Sequence, residues 1–251
     1  MNSLTAILLV GIFFGLAYCI RLLRSLHRKV IQRSERTTRE IAAATKELQA
    51  ANWQSYRQSE AFTQLLSLLK FDAVVPPTRS WAASPDLLLT LAQLVRAHKP
   101  KLVVELGSGV STLIVAKAGA RKVVSIDNSE EFAEKTREII RDHKVRGVEV
   151  RVAELTNHAS GSDWYDLSKL TDLKRIDLLI IDGPPGSKNP QARKPALVEF
   201  ISKLSPNAVI VIDDVNRDGE RELAEGFAQA LPNHTLTIFS HEKGTAVIAP
   251  K

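Results

Sequence analysis

The sequence predicts an α/β fold, a doubly wound and mostly parallel sheet that ends in an antiparallel hairpin, preceded by a long helical N-terminal segment. Three observations predict it. From Trp81 onward, apolar runs of strand length alternate with segments of helical character. Val103-Val104-Glu105-Leu106-Gly107-Ser108-Gly109 carries one apolar run into a glycine turn, and Val123-Val124-Ser125-Ile126-Asp127 ends the next in a carboxylate. The last two apolar runs are joined by Ser240-His241-Glu242-Lys243-Gly244, too short for a parallel crossover, so the final strand must pair antiparallel.

Residues 2–20 contain no charged side chain and are rich in Leu, Ile, Val, Phe, Ala and Gly. As a helix they span roughly 28 Å, enough for a bilayer core, and residues 1–21 are read as a transmembrane anchor. A cleaved signal peptide is the rival. No basic region precedes the apolar run, no A-x-A site follows it, and Tyr18 stands where a lipoprotein box in Leu16-Ala17-Tyr18-Cys19 requires a small residue. Arg21, Arg24, Arg28, Lys29 and Arg33 follow at once, which places the rest of the chain in the cytoplasm. They supply much of the net charge of +6, so that charge points to a membrane surface and not to nucleic acid. With Cys19 as its one cysteine, the chain has no internal disulfide framework.

Residues 22–75 form the second segment. Between 22 and 69 there is neither Pro nor Gly, and strong helix formers dominate, which predicts one long helix. Ile41, Leu48, Phe62 and Leu69 fall on a seven-residue grid shared with Ser34 and Ser55. Two readings stay open: a coiled coil that makes a homodimer, or a single amphipathic helix lying on the membrane or on the domain that follows. Pro76-Pro77 closes the segment and opens a domain over residues 76–251.

Within that domain Ser84-Pro85-Asp86 reads as a helix N-terminus, with serine as the cap and proline in the first turn, opening a helix to about His98. Strands are expected near 101–106, 121–127, 147–153, 175–182, 206–213, 234–240 and 244–249. Residues 157–172 interrupt the alternation with a loop containing Trp164-Tyr165-Asp166, either an anchor onto the core or an element that meets substrate.

A strand, a glycine turn, a helix and a second strand ending in an acid make a nucleotide-cofactor half-site. A dinucleotide site wants a third glycine where Thr112 stands, and Glu105 before the turn would repel a pyrophosphate while suiting a cationic ligand. Glu105-Leu106-Gly107-Ser108-Gly109 resembles the Glu-x-Gly-x-Gly motif of class I S-adenosylmethionine-dependent methyltransferases. Asp182-Gly183-Pro184-Pro185-Gly186 resembles the signature of a bacterial branch of that group. The resemblance covers about 170 residues, a usual domain size, and implies a Rossmann-like sheet ordered third, second, first, fourth, fifth, seventh, sixth. It also implies S-adenosyl-L-methionine as cofactor, with Glu105, Gly107, Ser108, Gly109 and Ser111 around the turn, Asp127 and Asn128 at the ribose, Ala153 and Glu154 bordering the adenine, and Asp182 at the active edge.

The fifth strand ends Ile212-Asp213-Asp214. If the sheet order holds, Asp182, Asp213 and Asp214 lie on neighbouring strand ends, where carboxylates suit Mg²⁺ or another divalent cation. The arrangement is similar to catechol O-methyltransferase-like enzymes. It departs from them in having Asp214 for an asparagine and Gly-Pro-Pro where those enzymes carry a catalytic lysine. The other reading of Asp213 and Asp214 is a cap on the next helix. Asp182 and Asp213 are the candidate catalytic residues, with Lys188, His158 and His241 as further candidate bases. The reading is a membrane-anchored, cytoplasm-facing methyltransferase for the hydroxyl of a small or glycan-like acceptor, with no nucleic acid as partner. An NAD-dependent Rossmann-like oxidoreductase and a non-catalytic membrane scaffold that keeps the fold are its alternatives.

Overall fold

The computed structural model describes residues 3–186 and 189–251. One helix, α1 (Ser3–Leu68), runs through both expected N-terminal segments. The chain divides into two compact units, one up to Ser55 and one from Tyr56.

In the first unit the apolar side chains point outward on every side: Leu8, Leu9, Ile12, Phe13 and Leu16 are all exposed, as are Ile41 and Leu48 of the seven-residue grid. By length and composition the helix would cross a membrane, a test that a signal sequence also passes.

The second unit begins well before Pro76. The last turns of α1 already belong to it, because Gln58, Ala61 and Leu65, followed by Leu69, form one buried stripe. Leu65 and Leu69 pack with Leu87, Leu88, Leu91 and Val95 of α2 (Pro85–His98). Ser84 takes the cap position, but its hydroxyl caps no amide and donates instead to Asp86 Oδ1 at 2.6 Å. Asp86 Oδ2 accepts from Gln58 Nε2 at 2.6 Å and from the Glu242 amide at 2.9 Å. One carboxylate therefore joins α1, α2 and the turn of the terminal hairpin. Burial would raise its pKa, yet the bonds from Ser84 and Gln58 hold it below the usual value.

The sheet contains β1 (Val103–Leu106), β2 (Val123–Asp127), β3 (Val148–Val152), β6 (Ile176–Ile181), β7 (Leu204–Asp213), β8 (His234–Phe239) and β9 (Thr245–Pro250). Their order is β3-β2-β1-β6-β7-β9-β8, the order that the resemblance implied. β9 runs antiparallel to both β7 and β8, and the remaining pairs are parallel. Successive residues face opposite sides. Val104, Leu106, Leu179, Ile181, Ile210 and Ile212 meet α5 (Pro195–Phe200) and α6 (Asp218–Ala230) through Phe200, Leu223 and Phe227. Val103, Val123, Leu178, Ile180, Val209 and Val211 meet α2 and α3 (Val110–Lys117), and α4 (Glu130–Asp142) connects β2 to β3. With both faces covered, the strands read as continuous apolar runs.

Residues 157–172 are not the plain loop expected. β4 (Leu155–Asn157) pairs antiparallel with β5 (Asp163–Tyr165), placing Thr156 opposite Trp164. Trp164 and Tyr165 are buried in the core and meet edge to face with ring centroids 5.1 Å apart. The pair anchors the ribbon to the sheet.

Candidate active site

The parallel register sets the site. Leu106 is level with Ile126 and with Ile181, and Ile181 with Ile212. The next residues, Gly107, Asp127, Asp182 and Asp213, therefore emerge together at the C-terminal edge, where open α/β sheets bind ligands.

Gly107 has a φ of +93°, and a Cβ there would come within 3.2 Å of the Asp182 carbonyl carbon and the Gly183 nitrogen. Only glycine fits this turn. A Cβ on Gly109, by contrast, would meet nothing within 4 Å, so the space before the N-terminus of α3 is open. Ser108 lies between them and binds Asp127 twice, donating to Oδ2 from its amide at 3.0 Å and from its hydroxyl at 2.7 Å. Asp127 Oδ1 accepts the Ser129 amide at 3.0 Å, which fixes the carboxylate beside the turn.

Glu105 is fully buried, on the sheet face that α3 covers, where Oε2 accepts the Thr112 hydroxyl at 2.5 Å and the Ser125 hydroxyl at 2.7 Å, while Oε1 has no hydrogen-bond partner among the described residues. Thr112 Oγ1 also accepts the Gly109 amide at 3.1 Å. Thr112, where a dinucleotide site has glycine, thus ties the turn to the acid beneath it. Burial pushes the Glu105 carboxyl up to about 7, against the pull of those hydroxyls. Ala153 and Ser111 are also buried, Asn128 is half-buried and Glu154 is exposed.

Asp182, Asp213 and Asp214 converge, each offering an oxygen within 4.8 Å of the others. Asp182 is the one with a solvent-facing side chain, 20% exposed against 1% for Asp213 and 7% for Asp214. Asp213 Oδ2 has no hydrogen-bond partner among the described residues and lies 4.0 Å from Lys243 Nζ. Burial, followed by the Asp182 and Asp214 charges, pushes the Asp213 carboxyl up to about 8. Burial likewise raises Asp182, opposed by Arg193. α6 begins at Asp218 with Arg217 in the cap position, so Asp213 and Asp214 do not cap it.

Arg193 is the residue that the sequence did not reveal. It is buried, and its Nη2 donates to Asp182 Oδ1 at 3.2 Å and to Asp214 Oδ2 at 3.0 Å. A divalent cation on the three aspartates would have to displace this guanidinium, so these residues do not fit a resident metal as they stand. Among the other candidate bases, His158 is bonded to Glu199 and Ser160, and His241 to Thr90; neither is bonded to the aspartates. Lys188 lies outside the described residues. An open hollow of about 540 Å³ lined by Lys101, Arg121, Lys122 and Glu149 lies at the opposite, N-terminal edge of the sheet, away from this chemistry.

Residues 104–215 match the family model of a methyltransferase domain. The sequence matches no curated protein. Among solved structures, the fold is shared with an O-methyltransferase from Bacillus cereus in complex with SAH, at 21% identity and a TM-score of 0.54 over 77% of this chain and 90% of that one. It is shared also with the O-methyltransferase TomG from Streptomyces achromogenes, involved in tomaymycin synthesis and solved with SAM, at 19% identity and a TM-score of 0.54 over 80% and 96% of the two chains. The SAH-bound methyltransferase PaMTH1 from Podospora anserina aligns at 17% identity with a TM-score of 0.53, over 77% and 87%. Residues 104–215 are therefore similar to a methyltransferase domain, and the sheet that holds them has the Rossmann-like fold of these methyltransferases.

Proposed function

We propose that the protein is an S-adenosylmethionine-dependent O-methyltransferase, held at the cytoplasmic face of a membrane by the N-terminal part of α1 and acting on a hydroxyl of a small or glycan-like acceptor. The observation that carries this reading is the joint between Ser108 and Asp127. It sets a carboxylate beside an open glycine turn, one strand away from the accessible Asp182.

Bound at this edge, the cofactor supplies an already activated methyl group. The chain's own residues bind, orient and manage a proton. Asp127 retains acceptor capacity beyond its bonds to Ser108 and Ser129, and this would receive the ribose hydroxyls. The backbone at Ala153 and the exposed Glu154 would border the adenine, and Glu105 acts from below by fixing the turn through Thr112. Asp182 would accept the proton of the acceptor hydroxyl. Its burial-raised pKa makes it a better base than a free carboxylate, and oxygen as the methyl acceptor is supported by the O-methyltransferases that share the fold. The exposed apolar side chains of residues 4–20 and the basic residues from Arg21 support the anchor and its orientation.

Calorimetry of the full-length protein in detergent tests the cofactor. S-adenosylhomocysteine should give a saturable heat; heat with NADH alone would replace this reading by an oxidoreductase, and heat with neither would leave a scaffold. Transfer of labelled methyl to base-stable ether products from a panel of hydroxyl compounds tests the acceptor class.

A further inference from the structure

Arg193 sits in a cradle of oxygen atoms. Its Nε donates to the Pro184 carbonyl at 3.2 Å, Nη1 to the Asp213 carbonyl at 3.2 Å and Nη2 to the Asp182 carbonyl at 2.6 Å. The carboxylates of Asp182 and Asp214 complete the set, and Glu220 Oε1 lies 3.6 Å from Nε. Main-chain carbonyls and carboxylates converging from two strand ends and a tight turn are the ligand set that a hard cation prefers. Here the chain fills it with its own side chain.

We propose that Arg193 is the resident cation of this site, taking the place of a divalent metal among Asp182, Asp213 and Asp214, so that the protein holds its active edge together and works without one. The proposal rests on the methyltransferase reading for what the edge does, and on the geometry alone for what occupies it.

Three features support it. Arg193 cannot lose its charge by deprotonation, so a dication entering the cluster would meet a fixed positive charge in a buried setting. The guanidinium is not held by the carboxylates alone: three main-chain carbonyls on three different residues hold it in plane, so binding of an ion to the carboxylates would not free it to leave. The surrounding charge is also already answered. Arg217 Nη1 lies 2.9 Å from Asp214 Oδ2, and Lys243 approaches Asp213.

The role assigned to Arg193 is positioning. By clamping the carbonyl and the carboxylate of Asp182 at once, it fixes the direction in which the accessible carboxylate points. Deprotonation of the acceptor hydroxyl is then the work of a carboxylate beside a guanidinium, not of a metal that lowers the hydroxyl pKa.

The test is a Mn²⁺ titration of the full-length protein in detergent, read as loss of the free-ion electron paramagnetic resonance signal, with and without S-adenosylhomocysteine. The wild type is expected to leave that signal unchanged. Arg193→Ser, which empties the cradle but keeps its oxygens, is expected to take up Mn²⁺ at concentrations about a hundredfold or more below the highest at which the wild type shows no uptake, a gain of at least about 3 kcal/mol. Stoichiometric Mn²⁺ uptake by the wild type that is lost in Asp214→Asn overturns the proposal. So does a folded Arg193→Ser that takes up no more ion than the wild type. If Arg193→Ser does not fold, the wild-type titration still decides. Heat of S-adenosylhomocysteine binding, measured on the same wild-type samples, reads the functional assignment separately: no heat there would overturn the cofactor reading and leave the Mn²⁺ result to judge Arg193.

Discussion

Gly107 and Gly183 stand back to back across the ends of β1 and β6. A Cβ on Gly183 would lie 3.0 Å from the Gly107 nitrogen, and a Cβ on Gly107 would lie 3.2 Å from the Gly183 nitrogen. Neither side can yield, because both contacts are to backbone. The turn that faces the proposed cofactor and the turn that carries Asp182 are therefore one mechanical unit.

Gly107→Ala should destabilise the domain by about 1–3 kcal/mol, because it adds a positive-φ penalty to the backbone contact. Gly109→Ala makes an informative contrast. Its backbone is extended and its Cβ meets open space, so the stability change should stay within about 1 kcal/mol while S-adenosylhomocysteine affinity falls. Urea denaturation and calorimetry on both variants check the pair.

Asp127→Ala should weaken S-adenosylhomocysteine binding by about tenfold or more, through loss of charge-assisted hydrogen bonds to the ribose and of the brace on Ser108. Unchanged affinity would remove Asp127 from the ribose.

Stability should fall as the pH rises from weakly acidic to weakly alkaline. Folded Glu105 holds its proton up to about 7, whereas the unfolded group releases it near 4.5. Its contribution is full below the lower value and lost as the pH climbs through the higher one. Glu105→Gln, neutral throughout, should remove on the order of 3 kcal/mol of that decline. Asp213, pushed up to about 8 by burial and its neighbours, contributes in the same sense. Urea midpoints at about pH 5 and 8 for the wild type and Glu105→Gln check this.

Asp86→Ala should destabilise the protein by about 2–3 kcal/mol, since it leaves the buried Gln58 amide and the Glu242 N–H without their acceptor. Hydrogen exchange should rise both in the last turns of α1 and in the 240–244 turn, the two segments this carboxylate ties to α2.

Most of the sheet was legible because its strands are buried on both faces and bounded by glycine, proline and acids, and each lies within a few residues of its expected range. The β4–β5 ribbon was not, because strands of three residues carry too little alternation to register. At the site, the convergence of Asp182, Asp213 and Asp214 follows from sheet order and was foreseeable. Arg193 was not. In Gln191-Ala192-Arg193-Lys194 it looks like part of an exposed basic run, and only the approach of β6 and β7 turns one of the two cations inward. Glu105 was legible as an acid before the glycine turn, but its hydroxyl partners were not. Its pairing with Ser125 depends on the parallel register of β1 with β2, and its pairing with Thr112 on α3 lying over that face.

The place of β9 bears on how the sheet assembles. β8 is made before β9 yet reaches β7 only through it, since β9 lies between them and supplies β8 with its one partner strand. Until residues 245–250 dock, β7 presents a bare edge of unpaired backbone N–H and C=O groups beside the aspartates, and β8 lacks the strand it pairs with. A chain interrupted after Gly244 would thus expose one edge of β7 and both edges of β8 in place of the single outer edge of β8, and should aggregate as it is made instead of folding into a shortened but soluble domain.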